Sequence, residues 1–298
     1  MEVEGKFIPI RHLDKLFWPE LGLTKGDLVH YYIEMAPYVL PHLRGRPFIM
    51  KPFPEGAAGR SFYRWALPAH APPWLHRWRY QASTEERTIE MLVVDGLPEL
   101  VWAAGQACIE LHPWLSRTDD PTHPDLLLFD LDPGPGAGLA GCLAVALWLH
   151  EMLGERGVRA YAKTSGRHGL HVLVPVERRY TFRQAREWVR AVAQALAARH
   201  PDRVTLDKSL AARRGRVLID YAQNGLGKSM VAPYSVRATP QATVSAPLTW
   251  EEVADGRVRA EDFTLLTMPQ RAKAMGDLLA PLAQGQELPM PANPPTAR

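Results

Sequence analysis

The sequence predicts an α+β fold in which a sheet carries helices on one face, and three observations lead there. Short apolar runs closed by Pro or Gly, such as DLLLFDLDP at 125–133, have the length and punctuation of buried strands. Thr181 with Gln184, and Thr249 with Glu252, have the spacing of capping boxes that open helices. Strand-like and helix-like segments are mixed around hairpin-like turns.

Along the chain, Asp27 to Val39 reads as a helix and Arg46–Lys51 as a strand, followed by Pro-rich loops around Pro52–Pro54 and Pro68–Pro73. The 125–133 strand leads through GPGAG into an apolar helix from about Leu139 to Arg156. Ala160–Thr164 and Leu170–Val176 read as strands flanking the turn SGRHG. The helix opened at Thr181 runs to about Arg199 and stops at Pro201, and Val217–Tyr221 forms a further short strand. Residues 1–280 are expected to form one domain, with lobes at about 1–110 and 111–250. The tail 281–298, rich in Pro and Ala, is expected to be flexible.

Composition bounds the function. With 298 residues, 46% apolar and 22% charged, the chain has material for a buried core and is not dominantly disordered. No run approaches the length of a membrane span, and the N-terminus has neither a basic n-region nor an apolar h-region. The two cysteines, Cys108 and Cys142, have no metal-ligand spacing, which fits a reducing, cytoplasmic setting. The net charge of +3 conceals an asymmetry: residues 151–240 hold 17 Lys/Arg against 7 Asp/Glu, and the rest hold 18 against 25. A basic block in a nearly neutral chain suits a polyanionic ligand, although part of it also reads as a solvated Arg-rich helix face.

The sharpest chemical signal is Asp130-Leu131-Asp132 at the end of an apolar strand. Residues two apart on a strand share a face, so both carboxylates project together. Such a pair is unfavourable unless a cation neutralises it, and hard divalent ions, Mg²⁺ or Mn²⁺, take oxygen ligands. A single Asp before Pro-Gly would read as an ordinary strand-end turn. Asp220, in V-L-I-D-Y, closes another short apolar strand and completes the carboxylate set of a two-metal nucleotidyl-transfer site.

Between them lies Thr164-Ser165-Gly166-Arg167-His168-Gly169-Leu170-His171, whose glycines and donors suit phosphate oxygens, although a Gly-rich hairpin is often only a turn. It lacks the spacing of a Walker loop. A cationic and aromatic group comprises Arg213, Arg214, Arg216, Lys228, Arg237 and the loop Phe62-Tyr63-Arg64, whose aromatics either stack on bases or pack locally.

D-L-D-P-G, T-S-G-x-x-G-L-H, V-L-I-D-Y-A-Q-N and A-P-Y-S-x-R together resemble the polymerase domain of bacterial ligase D, of the archaeo-eukaryotic primase superfamily, from about Ile10 to Trp250. The resemblance implies a primase-type catalytic core with a mixed or antiparallel sheet and flanking helices. It also implies a template-directed nucleotidyltransferase, acting in gap filling or non-homologous end joining with two divalent cations, Mn²⁺ or Mg²⁺. Carried over by position, Asp130, Asp132 and Asp220 become the metal carboxylates, and Ser165 and His171 triphosphate ligands. Gly166, His168, Arg213, Lys228 and Arg237 fall near the nucleotide, and His112, in I-E-L-H-P-W, at its sugar, favouring ribonucleotides. Phe62 and Tyr63, followed by Arg64, fall on the template. Lys15 and Lys25 fall on the 5′-phosphate of the downstream strand.

Three positions depart from the family pattern. His12 stands where many members have Asn in the 5′-phosphate pocket, which weakens the claim on that phosphate. His168 stands where some have Lys, and Tyr63 where a second Phe can occur.

The implied partners are DNA ends or gapped duplex with a 5′-phosphate, ribo- or deoxynucleoside triphosphates, Ku and a separately encoded ligase, in a nucleoid-associated setting without a membrane. At this length the chain reads as a stand-alone polymerase or as one domain, without room for ligase or phosphoesterase domains. Two other classes compete. A DxD phosphatase shares the FDLD strand but leaves SGRHGLH without a role. A non-catalytic DNA-end-binding or bridging module would use Lys15, Lys25 and the aromatic loop, but gains nothing from like-charged acids beside DNA.

Overall fold

The computed structural model describes residues 1–81 and 88–289. Its frame is two sheets. The smaller contains β1 (Pro47–Pro52), β2 (Arg77–Gln81), β3 (Thr88–Val93) and β4 (Cys108–Pro113) in the order β2-β3-β1-β4, all antiparallel. The larger contains β5 (Leu126–Pro133), β6 (Tyr161–Thr164), β7 (Leu170–Pro175), β8 (Val204–Thr205), β9 (Val217–Ile219) and β10 (Pro247–Leu248), in the order β8-β9-β5-β7-β6-β10. Only the β8–β9 pair in it is parallel, so the sheet is mixed and the α+β expectation holds.

Side-chain alternation decides what each face of the larger sheet does. Leu127, Phe129 and Leu131 of β5 join Val172 and Val174 of β7 in the main core. That face is covered by α3 (Gly138–Gly154) and α4 (Phe182–Arg199), with the Phe129 ring edge-on to Trp188. The opposite face carries Leu126 and Leu128, then Asp130 and Asp132 toward the strand end. Under the smaller sheet, α1 (Lys25–Val39) packs against α2 (Leu97–Gly105), and the Tyr32 hydroxyl donates to the Ile109 carbonyl. The buried core is continuous across residue 110, with Phe48 and Leu111 in the same cluster as Phe129.

The capping boxes expected at Thr181 and Thr249 are both formed, and Thr249 opens a short helix, Trp250–Asp255. A third, Thr24 with Asp27, starts α1 two residues before the expected Asp27. Residues 281–289 differ from the flexible tail that the composition suggests. Leu288 is buried, its amide donates to the Tyr180 hydroxyl, and the Trp188 indole donates to the Pro289 carbonyl. Gln286 bonds the Arg159 and Pro175 carbonyls. Leu288, with Leu282 against a second apolar cluster and a few backbone partners, suffices to dock this short segment. Residues 290–298 of that expected tail lie outside the described residues.

One polar side chain completes the central strand. The Asn224 amide accepts from Leu128 N at 2.9 Å and donates to Leu128 O at 2.7 Å, on the edge of β5 where β9 has ended. It stands in for the missing strand neighbour, which accounts for the Asn in V-L-I-D-Y-A-Q-N. Asn224→Leu leaves a buried N–H and C=O unpaired and is expected to cost about 2–4 kcal/mol. Urea unfolding of the variant measures this, and an unchanged midpoint would contradict the assignment.

Candidate active site

Four strands place the chemistry. Asp130 and Asp132 project from β5 on the face away from α3 and α4. The pairing of Leu131 with Ile219 brings the end of β9 alongside, and Asp220 N bonds Asp130 O at 2.9 Å. The three acids therefore share one face. On the other edge, Asp130 is directly opposite His171 of β7, and His171 is opposite Lys163 of β6. These form a row: Lys163 Nζ is 2.9 Å from His171 Nδ1, and His171 Nε2 is 3.3 Å from Asp130 Oδ1.

The electrostatics of the row follow from burial. Burial, reinforced by Arg237, pushes the Lys163 ammonium well below its usual value, and its other contact is the Ser245 hydroxyl at 2.7 Å. Burial and the Lys163 charge push His171 down to about 4, so its ring is neutral at pH 7. Burial opposes ionisation of Asp130, but the His171 hydrogen bond, with Lys163 and Arg237, outweighs it and keeps the carboxyl below its ordinary value. Asp132 has no such partner. Burial first, and then the charges of Asp130 and Asp220, push it up to about 6.

The smaller sheet supplies the opposite wall. His112 and Glu110 of β4 share its cleft-facing side with Ile49 and Lys51, their cross-strand partners on β1. A cleft of about 350 Å³ lies between the sheets. Its lining brings together Asp130, Asp132 and His171 from one wall, Ser165 and His168 from the SGRHG turn, and His112, Tyr63 and Arg237. Glycine is required twice in that turn: Gly166 has φ +69° with Arg237 and Ser245 packed against it, and a Cβ at Gly169 would strike the Leu131 carbonyl. The Ser165 hydroxyl accepts from the amides of Arg167 and Gly169, and the Arg237 guanidinium donates to the Ser165 carbonyl.

The remaining expected residues surround the cleft. Arg213, at the end of a short helix (Leu210–Arg213), lies over Pro133 and Gly134 and lowers the Asp132 carboxyl slightly by its charge. Lys228 is exposed on the loop before Ser229, a cleft residue. Phe62 and Tyr63 are exposed beside the cleft, with Tyr63 edge-on to His112 and the Arg64 guanidinium over the Phe62 ring. Lys15 and Lys25 meet away from the cleft at the N-terminus of α1, where Lys25 N bonds Lys15 O. Burial and Lys15 lower the Lys25 ammonium, which donates to the Arg11 carbonyl, while Lys15 pairs with exposed Glu55. His12 beside them has a left-handed φ of +56°. The two areas are connected, since the Trp18 indole donates to Thr239 O, two residues beyond Arg237.

Sequence reasoning missed Glu110 and Lys163. Glu110 precedes His112 by two, the same alternation that marked Asp130 and Asp132. Lys163 carried no readable signal, because a lysine at a strand centre is ordinarily an edge or surface residue.

Known proteins resemble this chain in sequence and fold. A family model described as LigD, primase-polymerase domain, matches residues 24–279. The chain belongs to that family. Membership makes it a nucleotidyltransferase domain, and its relatives are proteins of non-homologous end joining. It is 34% identical over 271 residues to the multifunctional non-homologous end joining protein LigD of Mycolicibacterium smegmatis, covering 90% of this chain and 35% of that protein. It is 29% identical to the bifunctional LigD protein of Bacillus subtilis, covering 89% of this chain and 42% of that one. The chain thus spans about a third to two fifths of these relatives. The polymerase domain from Mycobacterium tuberculosis ligase D, solved in complex with DNA, superposes with a TM-score of 0.87 at 32% identity, covering 94% of this chain and 99% of that one. Among the described residues, no helix is long and apolar enough to cross a membrane.

The acid face fits hard cations by its donor chemistry. Asp132 takes no hydrogen bond among the described residues and is held beside two like charges. Asp220 is engaged by Lys208 at 2.9 Å and by Ala222 N at 3.0 Å, and Asp130 faces His171. With two acids tied to protein partners, no described group of three His, Cys, Asp or Glu side chains is already closed around an ion position. An ion would have to draw Asp220 from Lys208.

Asp132 also yields a test. Its folded-state value, about 6, lies above the ordinary 3.8, so Asp132 costs stability that accumulates as pH rises from 3.8 through about 6 and is constant above it. With divalent ions chelated, Asp132→Asn is expected to melt above wild type at about pH 7.5, with a smaller gap at about pH 5. Thermal melts at both values check this; a gap independent of pH would contradict it.

Proposed function

We propose that this domain adds nucleotides to the 3′-end of a primer strand at gapped or broken DNA, directed by the opposing template. The observation that carries this reading is the opposition of two charge clusters across one cleft. Asp130 and Asp132 line one wall with Asp220 beside them, and a group of donors suited to phosphate lies on the turn and wall facing them. In-line displacement at phosphorus needs both, since the triphosphate must be held while charge builds on the entering and leaving oxygens. Divalent ions, Mn²⁺ or Mg²⁺, held by Asp130, Asp132 and Asp220, would supply Lewis-acid stabilisation of those oxygens.

The chain's own residues do the rest. Ser165, Gly166, His168, His171 and Arg237 bind the triphosphate, with Arg213 and Lys228 at its margins. His112 meets the sugar. Phe62, Tyr63 and Arg64 hold the template by stacking and cation–π contact, which tolerates any base. Lys15 and Lys25, at a helix N-terminus, take the downstream 5′-phosphate. DNA binding is supported by the DNA complex of the related M. tuberculosis domain. Ku and a separately encoded ligase are the partners this role calls for, in the nucleoid.

The test is addition of ribo- and deoxynucleotides to a gapped duplex with a recessed 3′-hydroxyl and a downstream 5′-phosphate, with Mn²⁺ or Mg²⁺. Wild type is expected to extend the primer according to the template. Asp130→Ala/Asp132→Ala is expected to lose extension by at least about a thousandfold while keeping DNA affinity. Binding without extension under either metal would instead identify an end-bridging module. Separately, Lys15→Ala/Lys25→Ala is expected to remove the affinity gained from a 5′-phosphate, about tenfold or more. The same variant should flatten the dependence of log affinity on log salt. Filter binding with and without the phosphate measures both.

A further inference from the structure

The smaller-sheet wall of the cleft contains a charge that the reaction just described does not use. Glu110 is fully buried, with 0% exposure, and does not itself line the cleft. Its Oε2 accepts from Lys51 Nζ at 2.8 Å and lies 3.0 Å from His112 Nε2. Its Oε1 accepts from Arg167 Nη2 at 2.9 Å, lies 3.3 Å from Arg237 Nε and takes the Ala238 amide at 3.4 Å. Three of these partners, His112, Arg167 and Arg237, line the cleft with Asp130 and Asp132. They come from three separate elements: β4, the SGRHG turn and the segment after Tyr234.

Packing Lys51, Arg167 and Arg237 around one point would force them apart by mutual repulsion without an anion among them. A buried carboxylate is itself costly, and tolerable only when its lone pairs are filled by such donors. Glu110 therefore fixes the positions of side chains that reach past it. It also fixes the state of His112. A carboxylate only accepts, so the Nε2 facing it carries the proton, and a neutral ring is left with a lone pair on Nδ1. Nδ1 has no protein partner among the described residues. Burial, outweighing the attraction of Glu110, lowers the ring's affinity for a second proton, so the neutral form persists at pH 7.

We propose that Glu110 is a positioning residue for the incoming nucleotide, orienting Arg167 and Arg237 toward its phosphates and presenting His112 Nδ1 as a hydrogen-bond acceptor to its sugar. An acceptor there rewards the 2′-hydroxyl, which can donate, and gains nothing from the 2′-methylene of a deoxynucleotide. Selection of the sugar is thus set by a residue that touches no substrate. The inference rests on the cleft being the nucleotide site.

The experiment is steady-state extension of the gapped duplex by wild type and Glu110→Gln, with each nucleotide type varied. Glutamine keeps the shape but loses the charge, and its NH₂ can donate to His112. The KM for ribonucleotide is expected to rise about tenfold with kcat little changed. The ribo-to-deoxy ratio of kcat/KM is expected to fall several-fold, with affinity for gapped DNA unchanged. An unchanged KM and ratio would overturn the proposal; so would a lowered KM, which would make Glu110 a competitor of the phosphates for the arginines. Should Glu110→Gln not fold, Arg167→Gln alters a side chain that is 42% exposed. It is expected to raise the KM for both nucleotide types while leaving their ratio intact, and a KM at the wild-type value overturns the phosphate half of the proposal. A wild type that binds gapped DNA but extends no primer overturns the nucleotide reading itself, and this inference with it.

Discussion

The central strand Leu126–Pro133 is clamped along both edges, and the rest of the cleft depends on that. From Leu126 to Leu131 it pairs with β7, from Leu131 to Pro133 with β9, and at Leu128 with the amide of Asn224. A strand held this way cannot rotate or shift register, because a one-residue slip would send Asp130 and Asp132 into the core and Phe129 and Leu131 into the cleft. Two carboxylates that repel each other are thereby kept on one face. The stability of the sheet offsets the repulsion, as is common where a binding site is built before its ligand arrives.

The two walls solve the same electrostatic problem in opposite ways. On the acid wall, Asp130 is matched through His171 to the buried Lys163, while Asp132 is left unmatched. On the other wall, one carboxylate, Glu110, is surrounded by more cations than it can neutralise. One side therefore has spare negative charge and the other spare positive charge, across a gap lined by both. A magnesium- or manganese-bound triphosphate carries both complements in one ligand. The preorganisation is incomplete on the acid side, where Lys208 occupies Asp220.

The region proposed for the 5′-phosphate is the more loosely specified part. Its two lysines are close, but Lys15 is paired with an exposed glutamate, and exposed pairs of this kind contribute little and are readily exchanged. The hydrogen bond from Trp18 to Thr239 ties this region to the segment that holds Arg237. It gives the two proposed phosphate sites a fixed relation despite their distance in sequence.

Much of this was legible in the sequence, for identifiable reasons. Period-two alternation placed Asp130 and Asp132 on one face, capping boxes marked the helices at Thr181 and Thr249, and Pro and Gly marked where strands end. Four ordered motifs carried the family. These are local signals, readable wherever neighbouring residues decide the outcome. What the sequence alone could not decide depends on which strands become neighbours. The pairing of β5 with β7 turns His171 toward Asp130, and that of β6 with β7 buries a lysine. The approach of Arg167, Arg237 and Ala238 to Glu110 joins residues up to 128 positions apart. Residues 281–289 read as a loose tail because docking by two leucines six residues apart leaves no periodic pattern. Propensity and periodicity act over a few residues, whereas the charge balance of a cleft is set by long-range pairing, so only the tertiary structure fixed which of the buried charges are matched and which are left for a ligand.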